Sequence, residues 1–430
     1  MPLARGHDLT NPFRSHGTAG GARFTDRADE IARTVASLRE PGAKLVVYGP
    51  RRMGKSSLLT IALERLARQG VRGFLADLSK ASTVTDMAFR VLEAAGRSLG
   101  KEGKASWRDI AGRLSAVATW APDPVTGVPV PRFELGLRRA EVPDQHTTLE
   151  RVLDALEASA AAAKTPVGIV LDEFQEICRF GGERAEWQLR GVVQHHQWVS
   201  YVFAGSEEHL IRQMVGPSRA FYGMLDLVHV GPMDPGHLAR WLDERMAAAG
   251  VRAAGAGERL VAIAGPRTGD VVHVARACFD IARAGGVAAP DVADRAFLEV
   301  VAGQDDALHA WWGSLTPHRQ NVLRAVADGG AALTGAEARD RFALSSSSAV
   351  AQTLAAFVEQ GRLVRTDSPA GYDFDSPFAR GWVILNALPD LGIRKDPIVV
   401  TPAATRKVTE SAVVRYAKRL RRKRGRGSGR

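Results

Sequence analysis

Apolar residues follow two alternating patterns along the first 230 residues of the chain. Short apolar runs predict buried strands, and they are separated by longer stretches whose apolar positions return every three or four residues, which predict helices. The predicted strands are Lys44–Tyr48, 73–78, 167–171, 200–205 and 225–230. Strands that alternate with helices in this way predict an α/β fold with a parallel, doubly wound sheet.

The pattern of apolar and polar residues changes in the rest of the chain. Residues 120–145 are rich in proline and irregular; a short hairpin is one alternative there, but we expect a loop or insertion. From Pro235 to about Leu315 every segment is helical in pattern, which predicts a helical lid. Three further helices and two short strands after Thr316 predict a winged helix-turn-helix. The expected domains are 1–230 (core), 231–313 (lid), 314–385 (winged helix) and 386–430 (linker and basic, disordered tail).

The net charge of +11 is concentrated in one segment. Eleven of the 58 Lys and Arg residues lie in Arg406–Arg430, with a single acidic residue, Glu410, so this tail carries +10 and the remaining chain only +1. Such a tail is expected to bind nucleic acid without sequence preference. The expected alternative is a solvated tail with only nonspecific attraction.

Several classes of protein are excluded by composition. The sequence contains no apolar run of 18 residues and no signal peptide, so we expect a cytoplasmic protein without a membrane span. Its two cysteines, Cys178 and Cys278, have no metal-binding spacing and are expected to be buried thiols.

A glycine-bounded loop lies between the first strand and the next helix. It fits the pattern G-x-x-x-x-G-K-[ST], whose spacing turns successive backbone N–H groups towards the β-phosphate of a nucleotide. Lys55 is predicted to contact the β- and γ-phosphates of ATP, and Ser56 to bind Mg²⁺. The predicted nucleotide-binding residues are Gly49, Pro50, Arg51, Arg52, Met53, Gly54, Lys55, Ser56 and Ser57.

Two carboxylates follow the third predicted strand. A buried strand that ends in Asp172-Glu173 has either a solvated end or a chemical function, and the upstream phosphate loop favours the second interpretation. Asp172 is predicted to hold Mg²⁺, directly or through water, and Glu173 to polarise the attacking water. The two motifs together predict an ATP-binding protein that hydrolyses ATP.

Further candidates are less specific. Ser206, at the end of the fourth predicted strand, is a candidate catalytic residue that senses the γ-phosphate, or a helix N-cap, or both. Arg267 either reaches the phosphates or belongs to an interhelical turn. Arg51 and Arg52 contact nucleotide, a neighbouring subunit or solvent. Candidates for an arginine finger supplied to a neighbouring subunit are Arg190 and Arg219.

The order of these motifs resembles the archaeal-type ATPase family of P-loop proteins. The resemblance covers about residues 8–385 and is carried by Asn11-Pro12-Phe13, Phe24-x-x-Arg27-x-x-Glu30, GPRRMGKSSLL, LDEFQEI and Asp375-Ser376-Pro377-Phe378 with Trp382. This family belongs to the ASCE division, close to the STAND NTPases and the AAA+ initiator ATPases of the Orc/Cdc6 type.

The resemblance has structural implications. It implies two Walker strands that are adjacent or nearly so, a lid over the nucleotide, a C-terminal winged helix, and residues 11–30 near the adenine. Initiators often carry an arginine soon after the Gly-Asp of the lid, whereas this chain has Gly269-Asp270-Val271-Val272-His273. The sensor-2 arginine therefore has no assignment.

Two functions remain open from the sequence. The predicted recognition helix, SSSSAVAQTLAAFVEQG, contains no Lys or Arg, so it is as consistent with binding protein as with reading DNA. One hypothesis is a nucleotide-dependent switch that engages nucleic acid through its tail and winged helix. The other is a STAND-like signalling protein that binds a protein partner or forms homo-oligomers.

Overall fold

A computed structural model describes residues 10–14, 24–99, 116–122, 129–135, 145–206, 211, 213–330 and 332–398. The contacts divide the described residues into a core unit, residues 24–231, and a helical unit, residues 10–14 with 232–398. The predicted basic tail, Arg406–Arg430, lies outside the described residues.

The core unit is an α/β domain. Five parallel strands form its sheet in the order β2-β5-β6-β1-β7, and β3 pairs with β4 in a separate antiparallel hairpin. The strands are β1 (Lys44–Tyr48), β2 (Arg72–Asp77), β3 (Ala116–Pro122), β4 (Pro129–Leu135), β5 (Val167–Asp172), β6 (Val199–Gly205) and β7 (Asp226–His229). The helices are α1 (Ala28–Arg39), α2 (Lys55–Arg68), α3 (Val84–Leu99), α4 (Gln145–Ala163) and α5 (Glu176–Val193).

Helices cover both faces of this sheet. Successive strand residues point to opposite faces, so Leu45 and Val47 pack against α1 and α2, whereas Val46 and Tyr48 pack on the side of α3, α4 and α5. Burial on both faces explains why these strands are continuous apolar runs in the sequence. The predicted fold class, an α/β core with a parallel sheet, is confirmed.

One assignment for this unit is corrected by the structure. Residues 120–145 were assigned to a loop or insertion, with a short hairpin as the alternative, and the hairpin is what forms: β3 and β4 pair in register, with Ala116 opposite Leu135 and Pro122 opposite Pro129. Prolines and a Gly suggested irregular backbone, yet edge strands tolerate proline, and both strands of a two-stranded hairpin are edge strands.

The helical unit contains nine helices in its described residues. They are α6 (Pro235–Ala248), α7 (Ala256–Ala264), α8 (Thr268–Ala282), α9 (Pro290–Ala302), α10 (Asp305–Gly313), α11 (Pro317–Asp328), α12 (Ala336–Phe342), α13 (Ser347–Glu359) and α14 (Pro377–Asn386). Its strands are β8 (Arg252–Ala253), β9 (Val287–Ala288), β10 (Leu363–Arg365) and β11 (Tyr372–Phe374). Within the described ranges, no helix combines the length and apolarity needed to cross a lipid bilayer.

A single hydrophobic core joins the helices of this unit. The ring of Phe297 in α9 lies 5.8 Å from that of Phe378 in α14, and the indole N–H of Trp382 donates a 2.7 Å hydrogen bond to Asp305. Residues 387–398 continue this packing, since Leu388 is fully buried and Lys395 pairs with Asp328 at 2.8 Å. The helices expected as a lid thus share their core with α11 to α14.

The Asn-Pro-Phe segment also belongs to the helical unit, although the sequence groups it with residues 1–230. The Asn11 side chain donates to the carbonyl oxygen of Arg276 at 2.9 Å, and the Arg276 guanidinium donates to that of Phe13 at 3.1 Å. Phe13 is buried with its ring edge-on to Trp241. The three-residue motif therefore anchors the N-terminal segment to α6 and α8.

Both cysteines are shielded thiols. Cys278 is fully buried in the helical unit, whereas Cys178 in α5 is half-buried and its Sγ donates to Glu186 Oε1 at 3.2 Å. Burial is the main cause that raises the pKa of each thiol to about 12, and the neighbouring carboxylate of Glu186 adds to the effect at Cys178.

We expect both thiols to resist alkylation in the folded protein. With a pKa of about 12, each thiol holds a thiolate fraction of only about 10⁻⁴ at pH 8, and the thiolate is the reactive form. Iodoacetamide labelling followed by intact mass should show little modification of native protein and two adducts after unfolding in guanidinium. Rapid labelling of the native protein at pH 8 would contradict these environments.

Candidate nucleotide-binding site

The loop after β1 has the backbone of a phosphate-binding turn. A Cβ on Gly49 would lie 2.2 Å from the carbonyl oxygen of Val230, so only glycine fits where β1 ends. Arg52 (φ 65°) and Gly54 (φ 91°) adopt left-handed conformations, and α2 begins directly after them at Lys55. Such turns direct backbone N–H groups into one concavity beside the positive end of a helix, which favours an anion.

Two side chains at the start of α2 face the polar end of the sheet. Lys55 is 6% exposed, and its ammonium donates at 2.8 Å to the carbonyl oxygens of Gly49 and Pro50. The Ser56 hydroxyl donates at 2.8 Å to Oδ2 of Asp172, a residue 116 positions later. The fold thus brings the two predicted motifs into direct contact.

The other predicted loop residues divide by exposure. Pro50 is half-buried, and Arg51 and Arg52 are exposed. Met53 points inward and is buried with the helices on the α1–α2 face of the sheet. Ser57 lies half-buried in the first turn of α2.

Asp172, at the end of β5, is a carboxylate removed from water. It is 6% exposed, and burial is the main cause that raises the pKa of its carboxyl; the Ser56 hydrogen bond acts in the opposite direction. A carboxylate and a hydroxyl at this distance are the oxygen ligands that Mg²⁺ accepts. The described residues contain no group of three or more His, Cys, Asp or Glu that could hold a metal ion by itself.

Glu173 occupies a strained backbone position. Its φ is 54°, a left-handed conformation that is uncommon outside glycine, asparagine and aspartate. The next residue fixes this conformation, because the Phe174 N–H donates to the Ala204 carbonyl at 2.7 Å and its buried ring lies 4.5 Å from that of Phe203. The strand therefore ends in a sharp turn that lifts the Glu173 side chain out of the sheet.

Two donors hold the Glu173 carboxylate by the same oxygen. Oε2 accepts from the Ser206 hydroxyl at 2.8 Å and from the side-chain amide of Gln175. The Ser206 oxygen in turn accepts from Arg51 Nε at 3.4 Å. The structure thus places Ser206 beside Glu173 and links both to the loop.

Gln175 is the site residue that sequence reasoning missed. It is completely buried, and its side chain would have been assigned to the surface of a turn. The only signal was a polar residue within LDEFQEI at a point where the neighbouring Phe174 and Ile177 are core residues.

The three other candidate arginines have partners within their own units. Arg267 precedes α8 and forms an ion pair with Asp375. Arg219 bonds to Glu183 and Glu186, each at 2.7 Å. Arg190 donates to the carbonyl oxygen of Ala220 and lies over the Trp187 ring. Their roles towards phosphate remain predictions.

The Phe24-x-x-Arg27-x-x-Glu30 motif has a structural explanation. Arg27 is buried, donates to Glu30 Oε1 at 3.2 Å, and also donates to the carbonyl oxygen of Gly231. This ties the start of α1 to the chain just after β7.

Comparison with known proteins agrees with this geometry. The model of a family described as ATPase domains predominantly from Archaea matches residues 24–250, more than half of the chain. No curated protein matches the sequence.

A Walker-type ATPase of Pyrococcus abyssi has a similar structure (TM-score 0.60, 16% identity), over 86% of this chain and 99% of that one. The ORC2 protein of Aeropyrum pernix, in ADPNP–ADP complexes, is also similar (TM-score 0.53, 14% identity), over 86% and 94%. The loop at Gly49, the carboxylates that end β5 and the family match lead to one conclusion: the chain belongs to the family of ATPase domains found predominantly in Archaea.

Proposed function

We propose that this protein binds ATP with Mg²⁺, hydrolyses it, and uses the nucleotide to switch its interaction with a partner. The observation that carries the proposal is the 2.8 Å hydrogen bond between Ser56 and Asp172, which joins the phosphate loop to the acidic end of β5. A buried lysine, a serine and two carboxylates meet at one edge of the sheet. A cation bound to phosphate accounts for this combination, whereas packing of the fold does not require it.

Each side chain has a defined task in this proposal. Lys55 exchanges the loop carbonyls for the β- and γ-phosphates, and Ser56 with Asp172 holds the cation. Bound Mg²⁺ would neutralise charge on the phosphate oxygens. Glu173 orients the attacking water and accepts the proton that it loses. The water oxygen bonds to the γ-phosphorus while the bond from phosphorus to ADP breaks, and ADP leaves with that electron pair.

Two substitutions separate binding from hydrolysis. We expect Lys55→Ala to weaken ATP binding by at least about tenfold, because a buried charge partner of the phosphates is lost. We expect Glu173→Gln to bind ATP as the wild type does but to lower kcat by about 100-fold or more. Calorimetric titration with a slowly hydrolysed analogue gives the affinities, and phosphate release gives kcat.

Matched controls for these variants are Lys164→Ala and Glu93→Gln, which make the same chemical changes at surface positions. Both controls should retain affinity and turnover. Wild-type turnover by Glu173→Gln would show that another residue activates the water.

The exposed face of α13 supports a protein partner better than base-specific recognition. Val350, Leu354 and Phe357 face the core, which leaves serines, alanines, Gln352 and Glu359 outward. Arg362, near the predicted wing, lies over the Trp311 ring at 5.2 Å. We therefore assign nucleic-acid engagement to the tail Arg406–Arg430 alone, as contact with phosphates.

The STAND-like alternative is supported by one feature, the absence of basic residues on α13. A C-terminal winged helix without basic residues on α13 suits a protein contact, with nucleotide release exposing a surface for homo-oligomers or another protein. In that case, nucleic acid has no role in the function.

Truncation of the tail tests which of these functions applies. We expect the intact chain to bind duplex DNA with an affinity that falls steeply with salt, because basic residues release counterions from phosphates. A chain that ends at Ile398 keeps the packed residues 387–398 and should lose this binding while it retains ATPase activity. Fluorescence anisotropy at two salt concentrations measures both.

The outcomes separate the hypotheses. Absence of salt-sensitive binding by the intact chain would favour the STAND-like alternative. Equal binding by both chains would exclude the tail and return the interaction to the folded units.

A further inference from the structure

The buried side chain of Gln175 donates a hydrogen bond to Glu173 at the cost of an unsatisfied oxygen. It is 0% exposed, and its amide nitrogen must be the atom that faces Glu173, because a carboxylate only accepts hydrogen bonds. This orientation leaves Oε1 buried without a hydrogen-bond partner within the described residues. A buried acceptor without a partner is unfavourable, whereas an apolar side chain of similar size would avoid the cost.

The neighbouring backbone leaves room for this amide. A Cβ on Gly205, at the end of β6, would lie 2.7 Å from the side-chain amide oxygen, Oε1, of Gln175. The absence of a side chain at 205 therefore permits the amide to lie between the end of β6 and Glu173. The same Cβ would also lie 2.7 Å from Cδ1 of Ile211, so both a core side chain and the amide occupy the space that glycine leaves.

The consequence for Glu173 is orientation. Both of its donors bind Oε2, and in the described part of the chain no hydrogen bond reaches Oε1. The terminal torsion of a glutamate is otherwise broad, so two donors on one oxygen fix the direction in which the other oxygen points. Oε1 is then the atom available to a water.

The two donors differ in what else they contact. Ser206 also bonds to Arg51 of the exposed phosphate loop and is the candidate contact to a γ-phosphate. The Gln175 side chain is enclosed by the core, and within the described residues its amide makes no hydrogen bond other than that to Glu173. When the Ser206 hydroxyl turns to phosphate, Gln175 is the donor that stays on Glu173.

We propose that Gln175 is a positioning residue for the attacking water, which acts by holding Glu173 Oε2 throughout turnover. The proposal rests on the hydrolysis proposed above. It requires that loss of the amide donor lowers kcat and leaves nucleotide binding unchanged, since the hydrogen bond of the Gln175 side chain goes to Glu173.

The test uses the full-length chain with Gln175→Met and Gln175→Leu, which keep similar volume and remove the donor. We expect kcat to fall at least tenfold, with KM and the affinity for a slowly hydrolysed ATP analogue within about twofold of wild type. Because a buried unpartnered oxygen is also removed, Tm should not fall. Gln188→Leu, the same change on α5, is the matched control and should keep wild-type kcat.

A double substitution tests the route of the effect. In a Glu173→Gln background, Gln175→Met should cause less than about a twofold further loss, because a residue that acts through Glu173 has nothing left to position. The same tenfold loss in both backgrounds would overturn the proposal, as would wild-type kcat in both single Gln175 variants. Absence of ATP turnover by the wild-type chain would instead contradict the proposed hydrolysis itself.

Discussion

The hydrogen bond from Ser56 to Asp172 is the contact on which the proposed site depends. It exists because parallel strands bring their carboxyl ends to one edge of a sheet, and because only β6 lies between β1 and β5. The loop after β1 and the acidic end of β5 are thereby held by a sheet that is buried on both faces. Any change that shifts β6 would separate them without touching either motif.

Strain at Glu173 is the second constraint. A non-glycine residue in a left-handed conformation costs on the order of 1–3 kcal/mol, and such strain persists only where the surroundings impose it. Here Phe174 imposes it, through its backbone bond to Ala204 and its buried ring. The turn at Glu173 also brings the side chain of Gln175 back to the Glu173 carboxylate. One local backbone distortion therefore both exposes this carboxylate and supplies it with a hydrogen-bond donor.

Much of the core and its motifs could be predicted from the sequence, since doubly buried parallel strands are apolar runs and the loop at Gly49 has a fixed spacing. The hairpin at 116–122 and 129–135 stood only as the alternative to a loop, because its prolines favour irregular backbone, yet the two strands pair in register. Gln175 could not be identified because its contact follows from the φ of Glu173, which no local pattern reveals. The pairing of Arg267 with Asp375 joins residues that lie far apart in sequence and was likewise invisible.

The central claim is that Ser56 and Asp172 form a cation site that completes nucleotide binding. Calorimetric titration with ATPγS, with Mg²⁺ and then with EDTA, tests it most directly in the wild type and in Asp172→Asn. The account predicts that Mg²⁺ strengthens binding by at least about tenfold in the wild type, and that most of this gain is lost in Asp172→Asn, where an anionic ligand is replaced by a neutral amide. Equal affinity with and without Mg²⁺, or an undiminished gain in Asp172→Asn, would contradict it.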